Sequence, residues 1–509
     1  MLKIYIYSMP FPLFNSIASW FLKKRIHQID LFLRYPNEVQ QEVLQDLLGF
    51  AHKTKVGSTL DFGSIHRYET FAERVPIVTY EDIASDIDAS RNGAQNLFWP
   101  TPIKWYAKSS GTTNAKSKFI PMSVEALEDC HYKGGKDMLS LYINNNPEAQ
   151  LFTGKGLRMG GSQEMYQNAH SSFGDLSAIM TENLPLWAEI NTTPSLNVSL
   201  MAEWEAKLAA MVMECSEENV TSLVGVPSWM LVLLHKILEA SPDKKLSDIW
   251  PNLEVYFHGG VSFRPYQNQY EALFEGQKVK YYEIYNASEG FFAIQDQNDS
   301  DELLLMLDYG IFYEFIPLGE SDNAIIPLDN VQLGVHYALV ITTNAGLWRY
   351  KIGDVIRFTS LSPYRIQITG RTKHYINAFG EELVVENADR AIAHAAKHCG
   401  VEVLDYTAAP VFMQDTTKGG HEWVIEFLFP PSDIEQFTRA LDAEIQQLNS
   451  DYEAKRYKSL TMQLPTIHIA RKGLFYDWLE VKKKLGGQHK VPRLSNDREL
   501  LEILLEMNA

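Results

Sequence analysis

Apolar side chains recur every three or four residues along 36–54, where Val39, Val43, Leu47 and Phe50 share one side, so the spacing predicts an amphipathic helix. Thr79 followed by Glu81 and Asp82 reads as a helix start, a capping hydroxyl before early acids. Through the middle of the chain the period switches back and forth. A helix is predicted over 201–215, a strand over 221–225 that stops at Pro227, and a helix over 229–239. A strand over 253–258 runs into Gly259 and Gly260, and another over 278–284 runs into Tyr285, Asn286 and Ala287. Short apolar strands alternating with helices predict an α/β layered sheet, in which ligands bind at the carboxyl ends of the strands. From 303 to 358 the pattern is mostly strand with Gly and Asn turns, a β-rich subdomain.

The pattern changes again near Gly370 and Arg371. Beyond lie a predicted helix over 386–398 stopped by Gly400, strands over 401–408 and 422–429, and a helix opened by Ser432 with Glu435 three residues on, as in a capping box. A strand over 466–470 precedes a final helix. The expected organisation is a large α/β domain, residues 1–370, followed by a small α+β domain, residues 371–509. The length of 509 residues, 45% of them hydrophobic, agrees with more than one core.

Composition narrows the partners. A formal charge of −18 excludes a nucleic-acid binder, which needs clustered Lys and Arg against phosphates. An anionic substrate would need a local positive site inside that negative field. Cys130, Cys215 and Cys399 are odd in number and far apart, which fits neither a disulfide framework nor a zinc pattern and points to a reducing cytoplasm. Pro10, Pro12 and Asn15 interrupt the early apolar stretch, so no secretory leader is expected, and no apolar run reaches the length of a membrane span.

Five clusters could carry chemistry. Ser109, Ser110, Gly111, Thr112 and Thr113, followed by Lys116 and Lys118, offer hydroxyls, a close backbone approach and cations to phosphate oxygens, without the spacing of a Walker A loop. Tyr285 to Glu289 follows a strand, where a carboxylate could hold Mg²⁺ against nucleotide phosphates. Gly353 and Asp354 could present a carboxylate from a tight turn to both ribose hydroxyls. Lys373 sits at the domain junction. Lys490, after Gly486 and Gly487, is a cation on a loop. Each alone reads equally as an ordinary turn, a charged linker or a solvated lysine.

Taken in order, the five resemble the auxin-responsive acyl-acid amido synthetase family, a branch of the adenylate-forming enzymes. The resemblance runs over nearly the whole chain and is carried by Ser109 to Thr113 with Lys118 to Pro121, Tyr285 to Glu289, Arg349 to Asp354 and Gln488 to Arg493. It implies ATP and Mg²⁺ as cofactors, a small-molecule carboxylic acid and an amino acid or other amine as substrates, and a small mobile C-terminal domain. Ser109, Ser110, Gly111, Thr112 and Thr113 would cradle phosphate with Lys118 beside them. Tyr285 would line the adenine pocket, with Ala287 and Ser288 of the same motif on the nucleotide. Glu289 would support Mg²⁺, Asp354 grip the ribose, Lys490 reach the phosphates and Lys373 lie at the hinge. Asn114 stands where the broader adenylate-forming pattern has a glycine, a departure that Lys116 could offset.

The acyl and amine pockets carry weaker signals. Arg158, near Gly160 and Gly161, could pair with a carboxylate or be structural; His258, before Gly259, could face the site or be a satisfied core histidine. Two rival functions share the fold: transfer of the acyl group to coenzyme A, and a non-catalytic protein that binds ATP or acyl-AMP. Hydrolase, zinc-protease and thiol–disulfide patterns are missing from the sequence.

Overall fold

The computed structural model describes residues 11–109, 118–160, 165–201, 203–261, 263, 266–371, 375–413, 418–457, 462–481 and 491–508. Among them a sheet of twelve strands organises the large domain. Its parallel half is Thr192–Thr193, Lys155–Met159, Val220–Gly225, Val255–Gly259 and Lys280–Ala287, side by side in that order. The chain then reverses through Ser288 and Glu289 into Gly290–Ile294, and from there the sheet is antiparallel. The β-rich stretch is thereby joined edge to edge with the parallel half: Gly290–Ile294 pairs with Leu303–Leu305, which pairs with Tyr364–Arg371. The reason is visible in Ile311–Pro317, where Ile311 to Ile316 are all buried. A strand buried on both faces belongs inside a covered sheet.

Predicted and observed elements differ in instructive places. The first amphipathic helix, Pro36–Ala51, buries Gln40, Leu44, Leu47, Leu48 and Ala51, while Phe50 is half exposed. The buried face is thus rotated by one position from the Val39–Phe50 stripe. Gln40 turns inward because its amide donates to the carbonyls of Leu307 and Ile311 and accepts from the Tyr313 N–H, each at 2.9 Å. Tyr80–Arg91 begins at Thr79 as read, with the Asp82 carboxylate accepting from the Thr79 N–H at 2.7 Å. The later cap is Asp433 in place of Ser432: its carboxylate accepts from the Gln436 N–H at 3.0 Å and opens Ile434–Leu448. A carboxylate one residue nearer the first turn also suits the helix dipole.

Helix Lys133–Asn145 lies on one face of the parallel half, where the Tyr142 ring meets Phe257 and Tyr282 edge-on at 5.9 and 5.3 Å between centroids. Trp204–Ser216 and Pro227–Ala240 contribute to the core that holds Leu157, Leu223 and Tyr256. Neighbouring strands approach closely at Gly259. A Cβ there would fall 2.3 Å from the Ile284 carbonyl oxygen. Gly259→Ala must therefore push the two strands apart, and a loss of about 1–3 kcal/mol is expected, as for other overpacked sites, read as a lowered urea midpoint.

A second, four-stranded sheet pairs Trp105–Ser109 with Lys118–Met122 so that Ser109 faces Lys118. The smaller C-terminal domain has Val403–Val411, Gly420–Phe427 and Thr466–Ala470 as a three-stranded sheet. Helices Val385–Cys399 and Ile434–Leu448 join the core on one face, and Leu474–Val481 with Glu499–Asn508 packs on the other. The domain adjoins the parallel half: the Tyr266 hydroxyl donates to the Ala378 carbonyl at 2.6 Å and the Gln269 amide to the Met413 carbonyl at 2.6 Å. No helix among the described residues is long and apolar enough to cross a membrane.

Candidate active site

The carboxyl ends of the parallel strands open on one cavity of about 1750 Å³, walled on its far side by the small domain through residues such as Asn377 and Lys455. Ser109, Lys118, Arg158, His258, Tyr285, Ala287, Ser288, Glu289 and Asp354 all line it. These residues lie up to 245 positions apart in the chain (354 − 109): Ser109 and Lys118 come from the four-stranded sheet, the others from strands of the twelve-stranded sheet and the Ser288–Glu289 turn. Ser110, Gly111, Thr112, Thr113, Asn114, Lys116, Lys373 and Lys490 lie outside the described residues.

Asp354 sits inside the continuous strand Tyr350–Leu361, not in a tight turn. Gly353 before it has φ +95, and the pairing with His336–Thr343 shifts register across this point. A glycine in that region relieves the strain a side chain would add, and such an irregularity re-aims the next residue. Asp354 is buried, and its Oδ2 accepts from the Tyr285 hydroxyl at 2.6 Å. Tyr285 in turn lies in the strand rather than after it, because Lys280–Ala287 extends three residues beyond the predicted end at 284. Asp354 pairs in register with Arg371, so the strand leading to Lys373 passes directly beside it.

Ser288 and Glu289 form the two-residue turn between Ala287 and Gly290. Glu289 is half-buried and borders the cavity. No group of three His, Cys, Asp or Glu among the described residues could hold a metal by itself. That donor set fits Mg²⁺ supplied with a nucleotide, since Mg²⁺ keeps several waters and takes one or two carboxylates plus phosphate oxygens.

Elsewhere around the cavity a few buried nitrogens find no partner among the described residues. Arg158, in Lys155–Met159, has its Nε sealed from solvent with no acceptor among the described residues. Burial pulls its pKa below the ordinary arginine value. His258 is buried and stacks on Phe263 at 4.1 Å, and its Nδ1 has no partner among the described residues. Burial lowers its pKa to about 3, so the ring is neutral.

Sequence reading missed two cavity residues. His131 is buried with no partner for its Nδ1 among the described residues, its pKa lowered to about 4 by burial. It sits in the π-helical segment Ala126–Tyr132, a local widening that no periodicity announces and that often marks functional sites. Lys455 of the small domain lines the same space with its Nζ 4.6 Å from the Trp229 ring centre. Its signal is tertiary only.

A mixed sheet whose parallel strands end on such a cavity, with a smaller α+β domain beside it, is the architecture of adenylate-forming ligases. A solved acyl acid amido synthetase, GH3.15, has the same fold at a TM-score of 0.61 and 19% identity, over 95% of this chain and 96% of that one. A 2-hydroxyisobutyryl-CoA ligase structure in complex with 2-HIB-AMP and CoA follows at 0.55 and 14%, over 93% and 92%. The chain belongs to the GH3 family: the family's N-terminal domain matches residues 25–279, its central domain 304–371 and its C-terminal domain 386–499. Among curated relatives it is 23% identical to the indole-3-acetic acid-amido synthetase GH3.4 of Arabidopsis thaliana, over 94% of this chain and 93% of the relative. It is 24% identical to the jasmonoyl–L-amino acid synthetase JAR6 of Nicotiana attenuata, over 95% of each.

Proposed function

We propose that the protein activates a small carboxylic acid with ATP as an acyl-adenylate and passes the acyl group to an amino acid or other amine. The observation that carries this reading is the convergence on one cavity of Ser109, Lys118, Tyr285, Glu289 and Asp354 with Arg158, whose Nε finds no acceptor among the described residues. In the first half-reaction a carboxylate oxygen attacks the α-phosphorus and pyrophosphate leaves. In the second, the neutral amine attacks the acyl carbon, its proton is lost, and AMP departs. The protein's part is to position the reactants and to neutralise charge spreading over phosphate oxygens.

In this assignment Ser109 to Thr113 and Lys118 bind phosphate, Tyr285, Ala287 and Ser288 the adenine side, and Asp354 the ribose. Glu289 would hold Mg²⁺, which supplies neutralising charge to the phosphates when bound. Arg158 and His258 belong to the acid's side of the cavity. Residues 371–509 move as a unit about Lys373 and deliver Lys490, a compact point charge, to the phosphates. The cysteine usage noted above supports a cytoplasmic setting.

A pyrophosphate-release screen of carboxylic acids crossed with the common amino acids tests the reading, with hydroxylamine trapping the activated acyl group. Amide product with an amino acid supports it; activation followed by transfer only to coenzyme A replaces the amine with a thiol, and no activation on a broad panel leaves a binding protein. A charge-assisted bond contributes roughly 1.5–3 kcal/mol, so Lys490→Ala slows adenylation about ten- to hundredfold. An unchanged single-turnover rate removes Lys490 from the mechanism.

A further inference from the structure

Arg158 is a charge in the cavity wall whose buried Nε finds no acceptor among the described residues. Arg158, Val224, Phe257 and Tyr282 are in register across four parallel strands and so share one face of the sheet. Helix Lys133–Asn145 covers that face. At Phe257 and Tyr282 the interval is filled by the Tyr142 ring. Towards Arg158 it opens into the cavity, where Gly156, Ser222 and Gly135 present little side chain. Met138, Phe152, Met180 and Leu184 line the same cavity beside the neutral His131, and Thr192, in register with Gly156, adds a hydroxyl that donates to the Ala188 carbonyl. A half-buried guanidinium without a counter-charge among the described residues is costly, and its natural complement is a carboxylate held by two parallel bonds.

We infer that the acid activated by this protein carries a second anionic group, distal to the carboxylate that reacts, and that Arg158 pairs with it across the cavity from the nucleotide side. The inference rests on the carboxylate-activating reading above. Two arguments favour a second group over the reacting one. The Arg158 strand lies three strand spacings, roughly 14 Å, from the strand that carries Tyr285 to Ala287 on the nucleotide side. And the reacting carboxylate gives up its charge on forming the mixed anhydride, which would leave a paired arginine uncompensated halfway through the reaction. A distal anion stays paired through both half-reactions.

Pyrophosphate release is measured with matched pairs of acids, straight-chain and aromatic, each a dicarboxylate and the monocarboxylate of equal length. The wild-type protein should prefer the dicarboxylate of its best pair at least tenfold in kcat/KM, and Arg158→Met should lower that ratio at least tenfold with the KM for ATP unmoved. Wild-type preference for monoacids overturns the inference. So does an equal loss on both acids in Arg158→Met, which assigns the arginine to the reacting carboxylate, or a change confined to the KM of the amino acid. Should Arg158→Met not fold, Arg158→Lys serves, since lysine keeps the charge but not the bidentate geometry, and an unaltered ratio there together with a monoacid preference is again a refutation. A protein that activates no acid at all fails at the earlier step, a result distinguishable from activation without the dicarboxylate preference.

Discussion

Arg349→Leu should destabilise the large domain by about 3–5 kcal/mol, the cost of leaving a buried carboxylate without its partner. The Arg349 guanidinium donates to both oxygens of Glu314, at 2.9 Å from Nε and 2.8 Å from Nη2, and to the carbonyls of Ala72 and Val75 at 2.8 and 2.7 Å. The two side chains are 3% and 1% exposed. Burial drives the Glu314 carboxyl above the usual carboxylate range, and the arginine, with the Tyr68 hydroxyl at 3.0 Å, draws it back. Arg349 also holds a left-handed φ of 47, strain that these bonds sustain. The network ties the early helices to the antiparallel half of the sheet, so its loss should lower the urea midpoint of the whole large domain. The Arg349→Leu, Glu314→Leu double variant should recover much of the stability, because no charge is then buried alone. A double variant as unstable as the single one would show that packing around Arg349, not the ion pair, is what matters.

Arg349 also shows where sequence reading succeeds and where it stops. It stood in a recognisable run with Asp354, yet its structural role depends on Glu314, 35 residues away, and on the backbone carbonyls of Ala72 and Val75 far earlier in the chain. Elements with a strong local period were legible: the strand 466–470 and the alternation along 201–284 follow from spacing alone. The rotated face of Pro36–Ala51 was not, because a glutamine there is buried by bonds to strand ends far along the chain. The same distinction holds in the site. Tyr285, Glu289 and Asp354 announce themselves as short ordered runs, whereas His131 and Lys455 enter the cavity through helix packing that leaves no local trace. For Arg158 the residue was visible, but that its Nε finds no acceptor among the described residues is a property of the folded cavity.

The largest effect on activity is expected at Asp354. A buried carboxylate already oriented by the Tyr285 hydroxyl at 2.6 Å can accept two further hydrogen bonds from a ribose, each charge-assisted. At roughly 1.5–3 kcal/mol apiece, their loss in Asp354→Ala should lower kcat/KM for ATP by a factor of about 10²–10⁴. Asp354→Asn keeps the volume but supplies a donor where the hydroxyls need an acceptor, so it should recover little. Tyr285→Phe keeps the ring and removes only the bond that orients Asp354; about tenfold is the expected cost, one net hydrogen bond. The nucleotide itself separates a ribose contact from a general disturbance. Wild-type protein should discriminate against 2′-deoxy-ATP, and Asp354→Ala should lose that discrimination while Tyr285→Phe weakens it. If Asp354→Ala is slow but still prefers ATP over 2′-deoxy-ATP by the wild-type margin, the carboxylate holds the site together without touching the sugar, and the ribose assignment fails.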